Sequence, residues 1–239
     1  MRICLIPLQI QPRNPTDNIR HFLYQLDQVK PHRLDLICLP ECSFTGYMYE
    51  EADLERFAEP IPGPLTSEMS RLARENHIYL CFGMLEASPQ GVYNTALLLN
   101  RSGEIIAHHR KLSEKPPFIN GDAVNSVATE LGKLGMLICG DLFAGDVVTR
   151  LDRELRLLLV PMARCFDGQS PDRHRWEKEE RQGYLDAVRQ AGVPAAIVNV
   201  LETVECEASF GGALLVTAQG ELLAESPHGT DEILVYDLA

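Results

Sequence analysis

The chain is expected to fold as an α/β protein with mixed sheets and helices packed over them. Two observations carry that expectation. Apolar runs of strand length alternate with stretches of helical periodicity from the first residues onward. Some neighbouring strand-like runs are separated only by glycine-bearing turns, so hairpins occur beside helical crossovers. A purely parallel barrel or doubly wound sheet has no place for those hairpins; a sheet or pair of sheets covered by helices does. The 239 residues are read as one domain, 1–239, because no linker, low-complexity tract or internal repeat interrupts the pattern.

Residues 3–10 read as the first strand. Pro15-Thr16-Asp17 marks a helix start, and Ile19, Phe22, Leu23, Leu26 and Val29 follow at helical spacing. Residues 34–39 form a short apolar run that stops at Pro40-Glu41. Ile61-Pro62-Gly63-Pro64 reads as a loop, 67–75 as a helix and 78–85 as a strand. Strands 93–99 and 104–109 flank Asn100-Arg101-Ser102-Gly103, where glycine supplies the positive φ of a tight reversal. A second turn at 131–135 leads into the apolar strand 134–138. Residues 146–154 read as a helix and 157–161 as a buried strand. The longest helical stretch is 173–191, with Tyr184, Leu185, Val188 and Ala191 on its packed face. Strands at 195–200, 212–216, 221–224 and 233–235 close the chain.

The net charge of −12, from 34 acids against 22 Lys and Arg, argues against a nucleic-acid or anionic-membrane partner. No apolar run approaches the roughly 20 residues of a membrane span, and the N-terminus enters a strand without a leader pattern. The seven cysteines are odd in number and sit in apolar stretches, without a C-x-x-C pair or zinc spacing. They read as free thiols of a cytoplasmic protein with no structural metal.

Strand 134–138 ends at Cys139-Gly140-Asp141. A cysteine there can present its sulfur to a cleft beside a free backbone N–H, and a thiol attacking a carbonyl needs both. The alternative is a core cysteine. Glu41 also stands at the end of a buried run, where desolvation can make a carboxylate a useful base; otherwise it is a loop acid. Lys111 ends a hairpin strand, and Glu114 follows it ahead of Pro116-Pro117-Phe118 and Gly121.

In this order and context these residues resemble the nitrilase superfamily of carbon–nitrogen hydrolases. The matching segments are Leu39-Pro40-Glu41, Arg110-Lys111-Leu112, Ile138-Cys139-Gly140-Asp141, and Glu114 ahead of Phe118-Ile119-Asn120-Gly121. Gly46-Tyr47, Tyr93-Asn94-Thr95-Ala96, Gly103, Asn199 and the closing Glu232–Asp237 stretch fit as well. The resemblance covers essentially the whole chain. It implies an α-β-β-α sandwich of two mixed sheets flanked by helices, paired into a homodimer.

The resemblance further implies hydrolysis of a small linear amide or N-carbamoyl compound, without cofactor or metal. Cys139 would be the nucleophile and Glu41 the general base. Lys111 and the Gly140 N–H would hold the oxyanion, and Glu114 would orient Lys111 or the amide and help hand a proton to the leaving amine. Tyr47, Phe118, Phe143, Met162, Arg164 and Phe166 are substrate-binding candidates by proximity to these segments, with Arg164 suited to a substrate carboxylate. The chain departs from the family at Gly140, at Leu142-Phe143-Ala144-Gly145-Asp146, at Pro161-Met162-Ala163-Arg164 and at Gly211-Gly212-Ala213. These departures bear on the substrate more than on the chemistry. Nitrile hydrolysis, acyl transfer on the same residues, or a weakly active thiol-bearing regulatory protein are the competing readings.

Overall fold

The structure, a computed structural model, describes residues 1–165, 173–202 and 209–239. In chain order the first half runs β1 (Arg2–Leu5), β2 (Gln9–Ile10), α1 (Pro15–Val29), β3 (Leu36–Cys38), α2 (Glu51–Phe57), α3 (Pro64–Asn76), β4 (Tyr79–Ser88), β5 (Gly91–Leu99) and β6 (Ile105–Arg110). The second half runs β7 (Ser126–Thr129), β8 (Gly132–Met136), α4 (Gly145–Val148), β9 (Leu157–Met162), α5 (Arg173–Arg175), α6 (Arg181–Ala191), β10 (Ala195–Asn199), β11 (Leu201–Glu202), β12 (Ala213–Val216), β13 (Leu222–Ser226) and β14 (Leu234–Asp237). A π-helical turn, Trp176–Glu180, joins α5 to α6.

The strands form two six-stranded sheets, ordered β14-β1-β3-β4-β5-β6 and β13-β12-β10-β9-β8-β7, with β11 and β2 paired separately. Each large sheet has three parallel strands at its heart: β1, β3 and β4 in one, β8, β9 and β10 in the other. Antiparallel strands flank them, two on one side and one on the other. The two sheets therefore repeat one pairing pattern, which the sequence did not disclose as a repeat. This is the mixed α/β architecture of two helix-flanked sheets.

Period-two alternation explains why the central strands are apolar on both faces. Leu36 and Cys38 of β3 face the other sheet and share one core with Leu134, Met136, Leu157, Leu159, Ala196 and Val198. Ile37 and Leu39 point the other way and pack with Phe22, Leu26, Met69 and Leu72 of α1 and α3. On the far side, Leu158 and Val160 of β9 pack with Tyr184, Val188 and Ala191 of α6. Helix, sheet, sheet and helix are thus held by three apolar layers.

Some elements differ from the sequence reading. The strand expected at 3–10 breaks into β1 and β2, because Pro7 has no N–H to give a ladder. The helix expected at 146–154 lasts only through Val148; Asp152 then caps the Glu154 N–H at 2.9 Å in a side-chain turn. Edge strand β7 alternates between exposed and half-buried residues, so it carries no apolar signal. The turn expected at 131–135 falls before Gly132, and residues 132–136 are strand.

Candidate active site

Glu41 leaves β3 in a tight turn that leans against β4. Gly83 makes that possible: a Cβ there would lie 2.6 Å from Glu41 Cα and 2.7 Å from Cys42 N. The turn is tied by Gly83 N–H to Pro40 O at 3.0 Å and by Ser43 N–H to Gly83 O at 3.1 Å. Cys139 opens a 3₁₀ turn, Cys139–Phe143, directly after the β8 segment. Both Cys42 and Cys139 have φ of +45°, a left-handed backbone that residues with side chains rarely adopt. At Cys139 the sharp change of direction falls at the end of the strand, and the residue as a whole is half-buried. Gly140 lies in the first turn, whose N–H groups have no intrahelical partner.

Lys111 follows β6. Its Nζ donates to Glu41 Oε1 at 2.9 Å and to Glu114 Oε2 at 3.0 Å. The Lys111, Glu41 and Glu114 side chains are 7%, 1% and 3% exposed, so this is a buried cation between two carboxylates. Burial alone would lower the Lys111 pKa, but Glu41, Cys139 and Glu114 outweigh it and hold the ammonium well above its ordinary value. Lys111 is a fixed positive charge. The structure thus brings Glu41, Lys111, Glu114 and Cys139 into one cluster.

Cys139 is pushed up to about 12, first by burial and then by the Glu41 carboxylate, with Lys111 and the Ala163 N–H pulling the other way. A thiol in that state holds its proton at neutral pH and needs a base to remove it. The Glu41 carboxylate is among the groups that act on the thiol. Of its two oxygens, Oε1 accepts from Lys111 and Asn94, whereas buried Oε2 has no hydrogen-bond partner among the described residues.

Three supporting residues had no role in the sequence reading. Asn94 Nδ2, from the interior of β5, donates to Glu41 Oε1 at 2.6 Å and to Glu114 Oε2 at 3.0 Å. Asp141, fully buried, accepts from the Leu112 and Ser113 N–H groups at 3.0 and 2.9 Å and from Ser113 Oγ at 2.8 Å. His109 Nε2 lies 2.9 Å from its other oxygen. Burial would raise the Asp141 pKa, but His109, Ser113 and the Ile138 N–H hold the carboxyl below its ordinary value. Asp141 pins the segment after Lys111 to the turn that carries Cys139. The readable signal for Asn94 was a polar residue within an otherwise apolar strand run.

The substrate-binding candidates divide. Tyr47 and Phe118 stand behind the cluster: Tyr47 OH donates to Glu114 Oε1 at 2.6 Å, and Phe118 stacks on Tyr47 at 5.8 Å. Phe143 and Arg164 line an open cleft of about 440 Å³ that begins at Gly140, together with Glu179, Glu180, Gly183 and Tyr184. Met162 does not join them; it is fully buried in the core under α6, because its position on β9 turns it to the helix side. Phe166 lies outside the described residues. Asn199 clamps the Arg164 backbone, accepting its N–H at 2.7 Å and donating to its carbonyl at 3.1 Å. Among the described residues no group of three or more His, Cys, Asp or Glu is arranged to hold a metal ion.

Two mixed sheets that join a buried Glu–Lys–Cys cluster define a hydrolase of the nitrilase type. The carbon–nitrogen hydrolase family model matches residues 3–239, and the chain belongs to that family. It is 28% identical over 250 residues to human (Homo sapiens) omega-amidase NIT2, covering 98% of this chain and 87% of that protein. It is 24% identical over 255 residues to a deaminated glutathione amidase of Dictyostelium discoideum, covering 94% and 83%. Among solved structures, a carbon–nitrogen hydrolase from Helicobacter pylori G27 superposes with a TM-score of 0.84 at 20% identity, over 98% of this chain and 88% of that one. An amidase from Nesterenkonia sp. AN1, with acrylamide added at its active-site cysteine, gives 0.79 at 20% identity, over 100% and 93%.

Proposed function

We propose that this chain hydrolyses the C–N bond of a small linear amide through a thioester on Cys139. The observation that carries the reading is the buried Glu41 carboxylate, tied by one oxygen to Lys111 and Asn94, left without a partner at the other, and acting on a protonated Cys139 thiol. As sulfur attacks the amide carbon, Glu41 takes the thiol proton. The oxyanion forms between the Lys111 ammonium and the Gly140 N–H, and each such donor is worth about 10²–10³ in rate. Glu41 then passes its proton to the leaving nitrogen, the C–N bond breaks, and the thioester remains. Water, deprotonated by Glu41, adds to the thioester; collapse releases the acid, and the proton returns to sulfur.

Glu114 is assigned the orienting half of its expected role. Its oxygens accept from Lys111, Asn94, Tyr47 OH and the Lys115 N–H, which leaves no room for a proton to come and go. The leaving-group proton therefore falls to Glu41.

The substrate is proposed to carry a carboxylate, gripped by Arg164 at the cleft wall, and the omega-amidase relatives support an amide at the far end of a small chain. Glu179 and Glu180 on the same wall are engaged by Arg175 at 3.8 and 3.2 Å. A cytoplasmic location belongs to the same reading, supported by the free thiols of the described cysteines. The homodimer rests on the family resemblance.

The test is mass spectrometry of the intact protein with a panel of neutral and acidic small amides, assaying ammonia beside Cys139→Ala. An acyl adduct on Cys139 with ammonia release is expected. Arg164→Ala is expected to raise KM for acidic amides and not for neutral ones. An unchanged KM for the acidic amides removes the carboxylate from the proposal.

A further inference from the structure

We propose that Asn94 is a positioning residue that selects which oxygen of Glu41 acts as the base, and that Cys42 holds Asn94 in the orientation this requires. The inference deepens the reading of Glu41 as the base for Cys139 and rests on it.

The two Glu41 oxygens stand in different surroundings. Oε1 receives Lys111 Nζ at 2.9 Å and Asn94 Nδ2 at 2.6 Å. Oε2 is buried without a conventional partner. Lys111 alone would fix this poorly, since an ammonium on a four-carbon stem is close to a point charge that either oxygen can attract. A planar amide is directional. Asn94 sits in the middle of β5, paired to Leu85 of β4, with its own carbonyl accepting the Lys111 N–H at 2.9 Å. The backbone of the selecting residue is thereby joined to the backbone of the cation.

The same two oxygens are bridged twice. Lys111 Nζ and Asn94 Nδ2 each reach Glu41 Oε1 and Glu114 Oε2, at 2.9 and 3.0 Å from Lys111 and at 2.6 and 3.0 Å from Asn94. Both amide hydrogens are spent on carboxylates. A flipped amide would aim Oδ1 at those anions, so its orientation matters more here than at most asparagines.

The group at Oδ1 is Cys42. Its Sγ lies 3.8 Å away and donates its S–H. Cys42 is fully buried, and burial together with the neighbouring Glu41 pushes its thiol well above the ordinary value, so the donor proton stays in place. It is the residue next to the base itself, in the left-handed backbone of the same turn. A relay therefore runs from Cys42 to Asn94 to both carboxylates, and it closes on the turn that presents Glu41.

The experiment is the pH dependence of iodoacetamide alkylation at Cys139, located by peptide mass spectrometry, in the full folded chain. Asn94→Ala is expected to slow alkylation at pH 7.5 by about ten- to a hundredfold, a share of the 10²–10⁴ a general base contributes. It is also expected to move the acid limb of the profile to higher pH, because a carboxylate stripped of a donor takes up a proton more readily. Cys42→Ala is expected to move both readouts the same way by about two- to fivefold, the worth of one weak hydrogen bond. Cys42→Ser, whose hydroxyl donates to the same amide oxygen, is expected to recover the limb. A wild-type profile for Asn94→Ala, or a Cys42→Ser profile no better than that of Cys42→Ala, overturns the proposal. Should Asn94→Ala fail to fold, the two Cys42 variants decide it alone. Alkylation reads thiol activation without any amide being turned over, so a chain that hydrolyses nothing in the amide panel still gives a clear result here.

Discussion

Lys111→Met tests whether the cluster is an electrostatic unit. The substitution keeps the apolar stem and removes the charge, leaving Glu41 and Glu114 with side chains 1% and 3% exposed and no cation. Breaking a buried ion pair by deleting one partner costs about 3–5 kcal/mol, because the other charge is stranded. Two carboxylates are stranded here, but both keep Asn94, and Glu114 also keeps Tyr47 and the Lys115 N–H. The expected loss is therefore about 3 kcal/mol, a large part of a typical domain's stability. With a urea slope of about 3 kcal/mol per M, the unfolding midpoint falls by about 1 M. Activity on any amide substrate is expected to fall by about 10²–10³ from the missing oxyanion charge. The stability reading has its own control. Adding Glu41→Gln and Glu114→Gln to the Lys111→Met variant removes the stranded charges and is expected to recover most of the midpoint. The reasoning is refuted if Lys111→Met unfolds at the wild-type urea concentration, or if the glutamine pair lowers the midpoint further.

Asp141→Asn is expected to destabilise the fold by about 3–5 kcal/mol at neutral pH, since a buried carboxylate with several donors loses its charge. The sign with pH follows from its depressed folded pKa: the stabilisation is present above the unfolded value and is lost as pH falls through the folded one. The gap between variant and wild type in urea should close below about pH 4. Gly83→Ala places a methyl 2.6–2.8 Å from the Glu41 Cα, Cys42 N and Pro40 O, all backbone atoms that cannot rotate away. About 1–3 kcal/mol of destabilisation and a slower Cys139 alkylation are expected, read by urea midpoint and by mass spectrometry. Asn199→Ala removes two of the hydrogen bonds that set the Arg164 backbone and leaves the one from the Phe210 N–H. KM is expected to rise several-fold for a carboxylate-bearing amide and less for a neutral one, as steady-state kinetics on the pair will report.

The candidate cluster was legible because its members stand at the ends of apolar strands, where a polar residue interrupts a strong pattern. Glu41 and Cys139 are of this kind, and Lys111 follows a hairpin that glycine announces. The mixed order of strands and helices was equally legible, since period and turn chemistry are local. What could not be read was which strands become neighbours beyond the hairpins that turn residues announce. The repeated pairing pattern is a property of long-range register, and nothing in the central parallel strands advertises which of them lie side by side. Met162 shows the limit most clearly: closeness in sequence to Arg164 suggested the cleft, but the pleat sends it to the helix side and fully buries it. Asn94 and Asp141 were visible as residues and invisible as partners, because a hydrogen bond between segments far apart in the chain leaves no periodic trace. The helix expected at 146–154 stops early for a local reason, the competing turn that the Asp152 side chain makes with the Glu154 N–H.

Those long-range bonds decide the chemistry. Glu41, Asn94 and Lys111 come from one sheet, whereas Cys139, Gly140 and Arg164 come from the other. The apolar layer between the sheets fixes their separation only loosely, since dispersion contacts tolerate small slides that a proton transfer does not. Asp141 removes that freedom. One of its oxygens holds the backbone of residues 112 and 113, next to the cation, while the other faces His109 of β6 and the Ile138 N–H beside Cys139. A slide between the sheets must break several bonds to a fully buried charge, and each such bond is worth about 1.5–3 kcal/mol. The distance from ammonium to sulfur is therefore set by a carboxylate that touches neither. The turn that carries Cys139 and the strand end that carries Lys111 belong to different sheets, and Asp141 is the anchor they share.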